Sequence, residues 1–124
     1  MSKRESIRLA VKAALAPLNI VVYTERQIEN PPAEFAVIHM DEWSEDQQDF
    51  DGGSVVTSSL IIEYFANSDS RVDEMEEQAA ELLRGSSLGG EVTVFLYESG
   101  QLGDFESGHP STLVQTWLVK YPRP

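Results

Sequence analysis

From Ser54 to Ala66 the chain reads SVVTSSLIIEYFA. The run is rich in β-branched and aromatic residues, and neither proline nor glycine interrupts it, so a long β-strand is expected here. Side chains alternate across a strand. Val56, Leu60, Ile62 and Tyr64 therefore fall on one face, and Thr57, Ser59 and Glu63 on the other. A slip of one residue would exchange the two faces, so the pattern also fixes the register. Whatever fold forms must cover the first face with apolar side chains from elsewhere.

Two helices can supply that cover. Ser2 and Glu5 make an S-x-x-E capping box, in which side chain and backbone at a helix start bond reciprocally. Ile7, Val11, Ala14 and Leu18 follow at helical spacing. Pro17 disfavours helix at Ala16, which places the first helix end there. Ser70 and Asp73 give a second, weaker box. After it, Val72, Met75, Ala79, Leu82 and Leu83 form the clearest helical stripe, with Glu74, Glu77 and Glu81 on the exposed side. Each large side chain buried from such a stripe contributes about 1.5–3 kcal/mol. Gly85 is a natural C-terminal cap.

Four further strands are expected: Ile20 to Thr24, Phe35 to Met40 (FAVIHM), Glu91 to Glu98 and Thr112 to Tyr121. Pro31-Pro32 marks a loop, and Gly100, Gly103 and Gly108 break the chain into another. The order is α-β-β-β-α-β-β. It predicts an α+β fold: a single mixed, mainly antiparallel sheet of about five strands, with both helices packed on one face. No repeat or low-complexity linker divides the 124 residues, and the length suits one domain, 1–124. The last strand is apolar on both faces, with Leu113, Trp117, Val119 and Tyr121 on one and Val114 and Leu118 on the other. FAVIHM is also apolar on both faces. Either loops fold over the second face of the sheet, or another subunit does.

Composition narrows the function. The formal charge is −12, and among the nine basic residues only Lys3 and Arg4 are adjacent. Binding to nucleic acid or to an anionic membrane draws on clustered Lys and Arg, so neither is expected. The absence of cysteine removes disulfides, thiol nucleophiles and thiolate metal sites. The basic N-terminus is interrupted by Glu5, Arg8 and Lys12. No uncharged stretch approaches the roughly 20 residues of a membrane span, and the chain reads as soluble and intracellular.

No catalytic, cofactor-binding or metal-binding residues emerge. His39 and His109 are far apart and lack an H-E-x-x-H context. There is no G-x-S-x-G elbow, no phosphate-binding P-loop and no G-x-G-x-x-G. Gly85, Gly89 and Gly90 follow a helix, the wrong side for holding phosphate. The acidic stretch 41–53 begins DEWSEDQQDFD, with six acidic residues and no basic one. Aligned as an EF-hand, it would place Gln47 and Ser58 where acids are required. As an acid–base pair it lacks the desolvation that raises a carboxyl pKa. Its position between strands and its Gly52-Gly53 end suggest a mobile acidic loop. Trp43 and Phe50 within it are costly to leave in water. It is therefore either a solvated connector or a surface that orders against a neighbour.

Taken end to end, the pattern resembles the tail terminator family of long-tailed bacteriophages, the minor tail protein U type. The residues that carry the resemblance are I-R-x-A-V-x-x-A-L (Ile7 to Leu15), a strand closing on an arginine (Val22 to Arg26) and the short apolar strand near residue 37. The acidic loop, the L-I-I-E-Y-F-A strand (Leu60 to Ala66), the acid-rich helix start and the final strand to Tyr121 continue it. Pro31 and Pro32 lie earlier than the proline usual before the second strand of that family. The resemblance implies a non-enzymatic virion tail protein, assembled in the host cytoplasm. Its expected form is a homo-oligomeric hexameric ring that caps the tail tube, stops its polymerisation and offers the head a surface. The partners implied are the tail tube protein and head connector proteins. A head–tail completion or neck protein is the nearest alternative, and a small soluble non-enzymatic adaptor the next. The candidate partner interface is Arg26, Glu42, Trp43, Asp46 and Phe50. Copies each carrying −12 repel weakly, by about 0.4 kcal/mol for unit charges ~10 Å apart in water, and salt screens this further. No cofactor is expected, but a divalent cation such as magnesium should assist oligomerisation.

Overall fold

A computed structural model describes residues 2–47, 54–103 and 110–123. Helix α1 (Lys3–Ala14) opens as expected, with Ser2 Oγ accepting from the Glu5 amide at 3.1 Å. A 3-10 turn over Ala16–Leu18 follows and ends at Asn19 in the left-handed conformation. Strand β1 (Val21–Tyr23) leads through a long loop to β2 (Phe35–Gln47). Next come β3 (Ser54–Ala66), α2 (Asp69–Leu83), β4 (Val94–Leu102) and β5 (Ser111–Pro122). The sheet order is β1-β2-β3-β5-β4. β1 runs parallel to β2, and every other pair is antiparallel. This is the expected α+β class, with five strands.

The expected two faces of the long strand are present. Along β3 the residues from Val56 to Ala66 alternate between buried and half-buried. Val56, Leu60, Ile62 and Tyr64 join Leu113, Trp117, Val119 and Tyr121 of β5 in one core. α1 covers the β2 side of this face with Ile7 and Val11, and α2 covers β3, β5 and β4 with Val72, Met75, Ala79 and Leu83. Phe95 stacks on Trp117 at 4.5 Å between ring centroids, and Tyr97 meets Trp117 edge-on at 5.3 Å.

Several boundaries differ from expectation. The acidic stretch is not loop from Asp41: β2 continues through Gln47, pairing Trp43 with Ser58 and Gln47 with Ser54 after a register shift between Asp41 and Trp43. Strand pairing uses backbone groups, so a charged sequence can extend a hairpin when its partner strand is strong. Residues 48–53, the rest of the expected mobile loop, lie outside the described residues. β4 starts later than Glu91 and runs through Gly100. A Cβ at Gly100 would sit 2.8 Å from the Tyr97 hydroxyl oxygen, so this glycine is there for close approach and does not break the strand. The cap of α2 is Ser68, accepting from the Arg71 amide at 3.2 Å, rather than Ser70. Leu82 is 38% exposed, and Ala80 is buried in its place.

Gln115 was not among the residues expected inside, yet it is fully buried. Its Oε1 accepts from the Tyr64 hydroxyl at 2.7 Å and from Trp117 Nε1 at 2.8 Å. Its Nε2 donates to the Glu76 carbonyl and to Glu76 Oε1, both at 3.3 Å. Tyr97 donates to that same Oε1 at 2.9 Å. This network ties β3, β5 and β4 to α2. Burial, with the charge of Glu76 and then Tyr97 adding to it, pushes the Tyr64 hydroxyl well above the ordinary tyrosine range. A group whose pKa is raised on folding contributes stability that is present at low pH and lost above the unfolded-state pKa. Stability should therefore fall as pH rises past about 10. In Tyr64→Phe that fall should be shallower, which urea titrations at pH 8 and pH 10.5 would measure.

Candidate interaction surface

The second face of the sheet carries no helix among the described residues. At its β1–β3 end, Tyr23, Phe35 and Phe65 form an aromatic ladder: Phe35 and Phe65 stack at 4.5 Å, and Tyr23 meets Phe35 edge-on at 5.9 Å. Ile61, Val114 and Leu118 continue the face, half-buried, and Leu96 at its far side is 56% exposed. Neighbouring side chains on the same face shield one another in part. The face is mixed: these apolar side chains are interleaved with Thr57, Ser59, Glu63, Thr116 and Lys120.

His39 sits on this face, 8% exposed. Its Nδ1 lies 3.4 Å from Asp41 Oδ1 and its Nε2 3.3 Å from Glu63 Oε1. A neutral imidazole can donate to one of these carboxylates, an imidazolium to both. The two carboxylates flank the ring from opposite sides and do not converge on one point. Among the described residues no group of three His, Asp or Glu side chains is placed to hold a metal ion.

The described candidate interface residues lie in β2 and in the loop after β1. Arg26 lies in the loop after β1. With Arg8, Thr24, Glu25, Gln27, His39, Met40 and Asp41 it lines a cavity of about 550 Å³. Within this group Arg8 Nε is buried without a hydrogen-bond partner among the described residues. Trp43 is 52% exposed, and the Arg4 guanidinium lies over its ring at 4.1 Å, a cation–π contact to the first turn of α1. Glu42 and Asp46 are strand residues of β2. Phe50 lies outside the described residues. The structure thus places Arg26 and Asp41 on the lining of one cavity. It places Trp43 past the register shift, against α1.

The acidic half of β2 carries a surface contact that has no local signal in the sequence. Arg123 Nε donates to Glu45 Oε1, and Ser54 Oγ donates to the same carboxylate at 2.9 Å. The hydrogen bond from Arg123, then that from Ser54, holds the Glu45 carboxyl below the usual range. The Arg123 amide also donates to the Ser54 carbonyl at 3.0 Å. The end of the chain therefore fastens the base of the acidic hairpin, a long-range pairing that no local pattern reveals.

Among the described residues, both edges of the sheet lack a further strand. β4 forms one, nine residues long, with Leu96 and Leu102 exposed. At the other, β1 pairs only with Phe35, Ala36 and Val37, so β2 from Ile38 to Gln47 has no strand on its outer side among the described residues. Unpaired edges present a row of backbone donors and acceptors and invite another strand.

No protein-family model matches the sequence, and no curated protein matches it. Among solved structures, a chain from the virion of a native gene transfer agent particle matches with a TM-score of 0.75 at 9% identity. The match covers 96% of this chain and 93% of that one. At that identity the likeness is one of fold, and it spans almost the whole of both chains: this protein shares its fold with a chain of a gene transfer agent virion.

Proposed function

We propose that the protein is a structural subunit of a phage-like virion, and more narrowly a tail terminator. In this reading, copies join head to tail in a six-membered ring that caps the tail tube, stops its growth and presents a surface to the head connector proteins. The observation that carries it is the near full-length fold match to a gene transfer agent virion chain. The helix-free face with its aromatic ladder and the two sheet edges unpaired among the described residues support it, because they offer neighbours a surface. The order and patterning of elements in the sequence add the terminator role. A neck or head–tail completion protein is the second reading, since that match identifies a virion and not a position within it. The sites of action would be the virion tail and, during assembly, the host cytoplasm.

The net charge of −12 per copy opposes assembly, and screening relieves it. Light scattering should therefore show a mass of six 13.8 kDa subunits whose fraction rises with added magnesium or salt and falls on dilution. Negative-stain images of the same sample should show rings. A monomer at every concentration and magnesium level would exclude the ring. A ring that binds a head connector and leaves the tail tube uncapped would favour the neck reading.

A further inference from the structure

We infer that neighbouring copies join by sheet extension, β4 of one copy pairing antiparallel with the outer edge of β2 in the next, past the end of β1. The inference rests on the ring reading and assigns its interface. Three observations carry it.

The first is direction. β3 is antiparallel to β2, β5 to β3 and β4 to β5, so β4 runs opposite to β2. A rotation that continues one sheet into the next leaves strand sense unchanged, so β4 arrives at the neighbour's β2 antiparallel, the more stable pairing. The second is fit. β4 is nine residues long, close to the run of β2 left bare beyond Val37. Beyond β1, residues 24–27 and His39–Asp41 line a common cavity, so a gap separates the loop after β1 from this part of β2. The third is charge. The bare run of β2 carries Asp41, Glu42, Glu45 and Asp46, whereas β4 carries Glu98 alone. Pairing β2 with β2 would set acids against acids, which is destabilising. β4 has neither the lysine nor the proline that commonly guards a free edge. A head-to-tail joint uses one β4 and one β2 edge per copy, so a closed ring leaves neither bare. It also makes the helix-free second face continuous from copy to copy.

The chain has no cysteine, which makes crosslinking clean. Ser44 and Leu96 both belong to the helix-free face, by their pairing with Thr57 and Leu118. The variant carrying both Ser44→Cys and Leu96→Cys, treated with a short bismaleimide after assembly, should give a ladder of covalent multimers on a denaturing gel. Neither single variant should give one. A dimer from Leu96→Cys alone would show β4 on β4 and overturn the inference. Rings that form without a ladder would overturn it while leaving the ring reading intact, and a protein that stays monomeric would overturn both. Independently, Leu96→Lys with Leu102→Lys should keep the monomer's circular dichroism and raise the concentration for half-assembly at least about tenfold, equivalent to about 1.4 kcal/mol. Unchanged assembly in that variant would also overturn it.

Discussion

Gln115→Ala should lower stability by about 2–6 kcal/mol. The substitution leaves the Tyr64 hydroxyl and the Trp117 indole N–H as buried donors without their acceptor, and each unsatisfied group costs about 1–3 kcal/mol. It also frees the link to Glu76 on α2. At about 3–5 °C per kcal/mol for a chain of this size, the melting temperature should drop by roughly 6–30 °C. Differential scanning calorimetry measures this directly. A cycle with Tyr64→Phe separates the orphan cost from lost packing: in the Tyr64→Phe background one donor is already gone, so Gln115→Ala should cost less there. Equal costs in both backgrounds would show that the Tyr64–Gln115 bond contributes nothing. Gln115→Glu keeps an acceptor but buries a carboxyl beside Glu76. That carboxyl's pKa would rise, so the variant should be most stable at low pH and weaken as pH climbs through the raised value.

Trp117→Ala should cost about 3–5 kcal/mol, the usual range for removing a large buried aromatic. Trp117 is fully buried, stacked on Phe95 and held edge-on by Tyr97. Its sequence neighbour Leu118 faces the helix-free side and is half-buried. Leu118→Ala should cost the isolated monomer about 1 kcal/mol or less, as half-exposed substitutions generally do. If that side is covered in the assembled particle, the same change should weaken assembly more than it weakens the fold. Urea unfolding of the monomer and light scattering of the oligomer separate the two effects. A Leu118→Ala variant as unstable as Trp117→Ala would mean that the second face is already sealed within one chain.

What could be read in advance follows from periodicity. The alternation at Val56, Leu60, Ile62 and Tyr64 named the buried face of β3 correctly, and the Ser2–Glu5 box named the start of α1. These are properties of a few consecutive residues, and local sterics with hydrophobic burial settle them. Gln115 escaped notice because a polar residue in an apolar alternation carries no sign of its partners, which come from β3, α2 and β5 itself. The length of β2 escaped for a related reason: side chains such as Asp46 and Glu45 argue for solvent, while the backbone groups that make the strand are the same in every residue. Arg26 and Trp43 could be named as interface candidates, but not that one borders a cavity and the other rests under Arg4.

The sequence by itself determined the class of fold, the order of elements and which side of each strand turns inward, because these depend on short-range spacing and the cost of wetting apolar surface. Only the tertiary structure decided that β5 lies between β3 and β4, that β1 covers just the first residues of β2, and hence which two edges stay open. Strand order is set by pairings between residues far apart in the chain, and those energies have no signature in any local window.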